Sequence, residues 1–142
     1  MTSRIAKPPL QHERKKRKGD DPKHLANIRL LDCLVCRPGD GIPGSFKVQA
    51  HHLMRVNGEG QRGHSYKSAD RWTIPLCWAH HGPSPYDNVT DAANDDEWLA
   101  ERGIDGRAIA SALWAARGDL EAMRRVIFRA RQEASMKLKA NA

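Results

Sequence analysis

The chain carries two knuckles of one spacing, Cys33-Leu34-Val35-Cys36 and Cys77-Trp78-Ala79-His80, with 40 residues between them. Zinc takes four thiolate or imidazole ligands in a tetrahedron, and two such pairs supply all four. A metal held this way ties the start of a domain to its centre and restrains the unfolded chain much as a disulfide does. The assignment uses all three cysteines, and an odd cysteine count argues against a disulfide framework. Three reduced core cysteines are the plainer alternative, but they leave the matched spacing unexplained. Residues three and four after Cys77 both return to its face of a helix, so helical geometry alone does not choose between His80 and His81. Symmetry with Cys33 and Cys36 favours His80. Such a site is closed and structural, and its four ligands carry no chemistry.

A metal staple suits the rest of the composition. With 142 residues, 39% hydrophobic and 29% charged, and a mean hydropathy of −0.70, the chain has material for one domain with a small core. Small cores often need such reinforcement. No apolar run is long enough to span a bilayer. The basic N-terminus has no apolar stretch behind it, so it is not a signal peptide, and a cytoplasmic protein without a membrane partner is expected. The net charge of +7 is concentrated at the two ends: residues 1–24 and 124–142 each carry +5, and the segment between them is −3. Basic ends of this kind suit contact with a phosphate backbone, although a solvated tail has the same composition. Lys15, Lys16, Arg17 and Lys18 are the candidate contacts in the first of them.

Local signals divide the chain. Residues 1–21 lack periodic apolar positions and are expected to be a disordered basic tail. Asp21-Pro22 reads as an N-cap followed by the first helical residue, with Leu25, Ile28 and Leu31 on one face. Phe46 to Ala50 alternates and reads as a strand running into His51-His52, and Trp72 to Leu76 as a second, with Pro75 arguing for an edge. Gly82-Pro83-Ser84-Pro85 interrupts whatever helix starts at Cys77. Beyond that the chain reads as helical. A short acidic helix over 95–102 precedes one over 107–117, capped by Asp105, with Ile109, Leu113 and Ala116 on one face. A longer helix capped by Asp119 carries Leu120, Met123, Ile127 and Ala130 in one stripe. The acidic run Asp87, Asp91, Asp95, Asp96, Glu97 and Glu101 matches no calcium loop and reads as a solvated helix start.

Four of the seven histidines form two doublets, His51-His52 and His80-His81, each at the end of a predicted strand. Hydrolysis of a phosphodiester needs a divalent ion on the phosphate and a base for the attacking water, and histidine suits the second task near neutral pH. On a strand His51 and His52 point to opposite faces, so one can hold the ion while the other reaches the water. Surface histidines, or a second structural zinc, are the alternatives.

The run Val48-Gln49-Ala50-His51-His52, a Gly-rich loop, and then Lys67 through Asp70-Arg71-Trp72-Thr73-Ile74-Pro75-Leu76 to Cys77-Trp78-Ala79-His80-His81 resembles the HNH-like nucleases. The likeness is to the phage Ref-type recombination nucleases and their prophage relatives in particular, and spans about residues 24–118. It implies an α+β fold with a zinc-stapled ββα-metal core over 22–94, flanked by a C-terminal helical region over 95–142. By matching position, His51 and His81 would ligate the catalytic ion, His52 would be the general base, and Asp70 would be the middle, orienting residue. His80 falls where the family often has a zinc cysteine. Arg62, Lys67 and Arg71 would contact phosphates.

The family usually carries one more histidine beyond the helix doublet, and residues 82–90 have none. Asp87 or Asn88 would replace it through oxygen, which suits magnesium or manganese, with zinc as the other choice. The resemblance therefore implies a DNA endonuclease with a structural zinc and one catalytic divalent ion, acting with a recombinase–DNA filament. A zinc-stabilised DNA-binding module without catalysis is the runner-up, and a scaffold using the helices of 107–135 the third.

Overall fold

The computed structural model describes residues 18–42, 46–54 and 69–142. Helix α1 (Pro22–Ile28) starts where the sequence signals it: Asp21 Oδ1 accepts from the His24 backbone N–H at 3.0 Å, and Pro22 takes the position where no donor is needed. Residues 18–21, expected in the tail, are instead pinned. The Asp70 N–H donates to the Gly19 carbonyl at 3.0 Å, and the Asp21 N–H to Asp70 Oδ2 at 2.7 Å.

Strands β1 (Val48–His52) and β2 (Thr73–Cys77) pair antiparallel, from Val48 opposite Cys77 to His52 opposite Thr73. The Leu53 and Trp78 N–H groups extend the ladder, bonding the Trp72 and Lys47 carbonyls at 2.9 and 2.8 Å. Pro75 stands opposite Ala50, and its carbonyl accepts from Leu34 N–H at 3.0 Å, on the side away from β1. A strand residue points its N–H and C=O the same way, so the donor that Pro75 lacks was never needed by β1. The first cysteine knuckle thus covers the outer edge of β2. All five residues of β2 are buried, because α1 and α4 both pack on it.

Helix α2 (Trp78–His81) lasts one turn. Gly82 ends it at φ +78°, and a Cβ there would collide with the Asn88 side chain. Helices α3 (Asp95–Ala100), α4 (Gly106–Ala115) and α5 (Leu120–Ala140) are each capped by the preceding side chain, from Asn94, Asp105 and Asp119. The buried face of α4 is Gly106, Ala110 and Leu113, with Ile109 and Ala116 only half-buried. The stripe is rotated from the expected one because small residues let this helix approach closely: a Cβ on Gly106 would lie 2.8 Å from Leu99 Cδ1. On α5 the stripe runs Met123, Ile127, Ala130, Ala134. One hydrophobic core joins Ile28, Leu34, Leu53, Ile74, Leu99, Leu113 and Met123, so the helices after residue 94 complete the same core rather than a second one. No helix among the described residues is long and apolar enough to cross a membrane.

His24 is an exception inside this core. It is 2% exposed, edge-on to Trp114 at 5.0 Å, and neither ring nitrogen has a hydrogen-bond partner among the described residues. Burial lowers its pKa from 6.5, outweighing the pull of Asp21 and Asp70, while Arg117 adds to the lowering. The unfolded ring therefore takes up a proton near pH 6.5 that the folded ring refuses, and stability falls as pH drops below that value. His24→Leu is expected to raise stability, by roughly 1–2 kcal/mol at neutral pH through removal of unsatisfied polar atoms. The gain should be larger at acid pH, and urea unfolding on both sides of neutrality measures it. A variant destabilised at both would mean that His24 has a partner the geometry does not reveal.

Candidate metal centre and histidine cluster

Cys33 and Cys36 follow the end of α1, Cys77 ends β2, and His80 lies three residues further on, in α2. Their ligand atoms all lie within 4.8 Å of one another. His80 Nδ1 stands 3.6, 3.5 and 3.3 Å from the sulfurs of Cys33, Cys36 and Cys77, and Cys36 Sγ is 3.7 Å from Cys77 Sγ. Zinc–sulfur and zinc–nitrogen bonds of about 2.3 and 2.0 Å in a tetrahedron give edges of roughly 3.5–3.8 Å. A disulfide would bring two sulfurs to about 2.05 Å. The four residues therefore fit zinc, and the ligand that helical geometry left open is His80. The neighbouring Cys33 and burial push the Cys77 thiol up to about 12. Burial works to lower the proton affinity of His80, yet Cys33 and Cys77 outweigh it and raise it. A bound cation reverses that balance, because thiolates are the form it binds.

The other doublet members separate onto two faces of β1. His51, 5% exposed, turns inward, and its ring lies 5.3 Å from that of His81, close to edge-on. His51 Nε2 meets Asp95 Oδ2 at 3.1 Å, and the Met54 N–H donates to the same oxygen at 2.9 Å. Asp95 is 1% exposed, and its Oδ1 has no hydrogen-bond partner among the described residues. Burial works to raise the pKa of Asp95, but the His51 and Met54 contacts outweigh it, so the group stays a carboxylate. His52 faces the other way, with Nε2 2.8 Å from Asp70 Oδ1. Asp70 is fixed in turn by the Asp21 N–H on its other oxygen.

Asp95 is the functional candidate that the acidic run concealed. It is no solvated helix start: the apolar Trp98 and Leu99 stand three and four residues later, which places Asp95 on the inward face of α3. Asp87, expected to help hold the catalytic ion, has other partners. That residue is exposed, its Oδ1 accepts from Trp98 Nε1 at 3.1 Å, and its Oδ2 pairs with Arg102. Asn88 is also committed elsewhere, with its amide oxygen accepting from Thr90 and the Asp91 N–H. Arg71 and Lys18 are exposed. Arg62, Lys67, Lys15, Lys16 and Arg17 lie outside the described residues. No match to a protein-family model, a curated protein or a solved structure was found for this chain.

Proposed function

We propose that the chain is a metal-dependent DNA endonuclease of the HNH-like kind, with β1, β2 and α2 as a ββα-metal core. One observation carries this reading: His51 meets both the His81 ring and the buried Asp95 carboxylate, whose Oδ1 has no hydrogen-bond partner among the described residues, while the adjacent His52 is held by Asp70. A buried carboxylate oxygen with no donor is costly, and a cation is the natural partner for it. His51, His81 and Asp95 would supply nitrogen and oxygen donors that suit a divalent ion of the magnesium, manganese or zinc class, although among the described residues only the cysteine cage already converges as an ion site. The chemistry supplied there would be polarisation of the scissile phosphate and stabilisation of the departing oxygen.

The remaining work falls to His52. Asp70 accepts the Nε2 proton of its ring, which leaves Nδ1 as the acceptor for a proton from water. Asp70 then stabilises the imidazolium, as the carboxylate of a serine-protease triad does. The basic ends of the chain favour a polyanionic substrate. Cys77 and His80, joined through a structural zinc, would keep β2 and α2 together and so position His81.

The test is metal content and cutting together. The purified chain should hold two ions, one of them released by mild chelation, and should nick supercoiled plasmid only with magnesium or manganese. Asp95→Asn should keep the tight zinc and weaken the second ion by roughly 10–100-fold. A chain that carries one zinc, and neither binds a second ion nor nicks DNA, would overturn the nuclease and leave the two non-catalytic readings, the DNA-binding module first.

A further inference from the structure

Arg71, the residue after Asp70, lies 4.8 Å from the Trp72 ring and 5.9 Å from the Trp114 ring, and Arg117 covers Trp114 at 4.3 Å. Two guanidinium groups and two indoles thus form one stack, built from the turn before β2 and the C-terminal end of α4. Both arginines are exposed. The arginines paired with carboxylates among the described residues are Arg102, Arg107, Arg124 and Arg131, and neither stacked arginine is one of them. Arg102 shows the contrast: it lies 3.7 Å from the Trp98 ring, but Asp87 neutralises it. Arg117 spends one N–H on the Trp114 carbonyl, at 3.1 Å.

Stacking holds a guanidinium in plane while its N–H edges remain available for bidentate contact with an oxyanion. A run of contacts links the stack to His52. Trp114 meets His24, Asp21 caps the His24 N–H and donates its own N–H to Asp70, and Asp70 holds His52. Lys18, the last residue of the basic run, comes to the same turn, because the next carbonyl accepts from Asp70 N–H.

We infer that this stack is a phosphodiester clamp, in which Arg71 and Arg117, held planar by Trp72 and Trp114, grip backbone phosphates of DNA beside His52 without reading its bases. The inference rests on the nuclease reading for the identity of the polymer, and adds which residues hold it. A base stacking on the covered faces of these indoles would have to displace Arg71 or Arg117.

The test is equilibrium binding of the full zinc-loaded chain to fluorescent duplexes of two unrelated sequences, without magnesium, across a salt series. The parent should bind both equally. Arg71→Gln with Arg117→Gln should bind about tenfold more weakly near 0.1 M salt, with the log–log salt slope smaller by about 2, since each lost phosphate contact removes roughly 0.9. Zinc content and melting temperature should not change, because both side chains are exposed. Arg71→Lys with Arg117→Lys should keep the slope and still lose affinity, because an ammonium does not stack. Parental affinity and slope in the glutamine pair, or full recovery in the lysine pair, would overturn the clamp while leaving the nuclease reading intact. A parent that binds no DNA would overturn both.

Discussion

Cys77→Ser should leave a chain with no cooperative unfolding transition at 25 °C. Two strands of five residues do not hold together alone in water, and the segment from the end of α1 through Cys36 has no regular structure of its own. That segment is fixed by the cage, by burial of Leu31, Leu34 and Val35, by the Leu34–Pro75 hydrogen bond and by Arg131, which donates to the Cys36 carbonyl at 3.1 Å. Structural zinc contributes roughly 10–16 kcal/mol in small zinc domains, comparable with the whole stability of about 5–15 kcal/mol that domains possess. Serine replaces a soft thiolate by a hard, protonated oxygen, at a position where Cys77 also ends β2 and precedes α2. The zinc per chain and a urea curve followed by circular dichroism provide the measurement. Prolonged chelation of the parent should reproduce the variant's curve. A variant that unfolds cooperatively within about 1 kcal/mol of the parent would show that the apolar core alone carries the fold.

How much of this is legible in the sequence follows the range of the forces involved. Asp21, Asp105 and Asp119 each cap a helix within three residues, and short-range hydrogen bonds of that kind are written locally. The two knuckles are legible because a metal imposes its own spacing. The burial of His24 is not, since Trp114, which covers it, comes from elsewhere; for Asp95 the spacing to Trp98 and Leu99 points inward, but its partner on β1 is not local. Asp87 attracts attention by its place near the doublet, but chain proximity is a poor guide beyond a loop turned by Gly82 and Pro83. Its partners are Trp98 and Arg102, further along. The anchoring of residues 18–21 is hidden for a related reason. Asp21 bonds to Asp70 across 49 residues of chain, and Gly19 bonds to Asp70 and lies close against Ala69, a pairing that no periodicity reports.

His52→Ala should lower the nicking rate by roughly 10²–10⁴-fold, the usual share of a general base, while both ions stay bound. The separation is built into β1: His51 and His52 occupy adjacent positions whose side chains leave on opposite faces, one toward Asp95 and His81, the other toward Asp70. Removing His52 therefore deletes the proton acceptor without disturbing either candidate ion site. Its ring is only half-buried, so the fold should tolerate the change. Asp70→Asn gives the complementary result. An amide oxygen still accepts the Nε2 proton of His52, but it carries no charge to stabilise the imidazolium, so the rate should fall less than in His52→Ala. In the double variant the Asp70 change should add nothing, because it acts only through the ring. Single-turnover cutting at saturating manganese, with metal content measured on the same preparations, separates these outcomes. If His52→Ala cuts as fast as the parent with its ions in place, the proton leaves by another route and the pairing of His52 with Asp70 is structural.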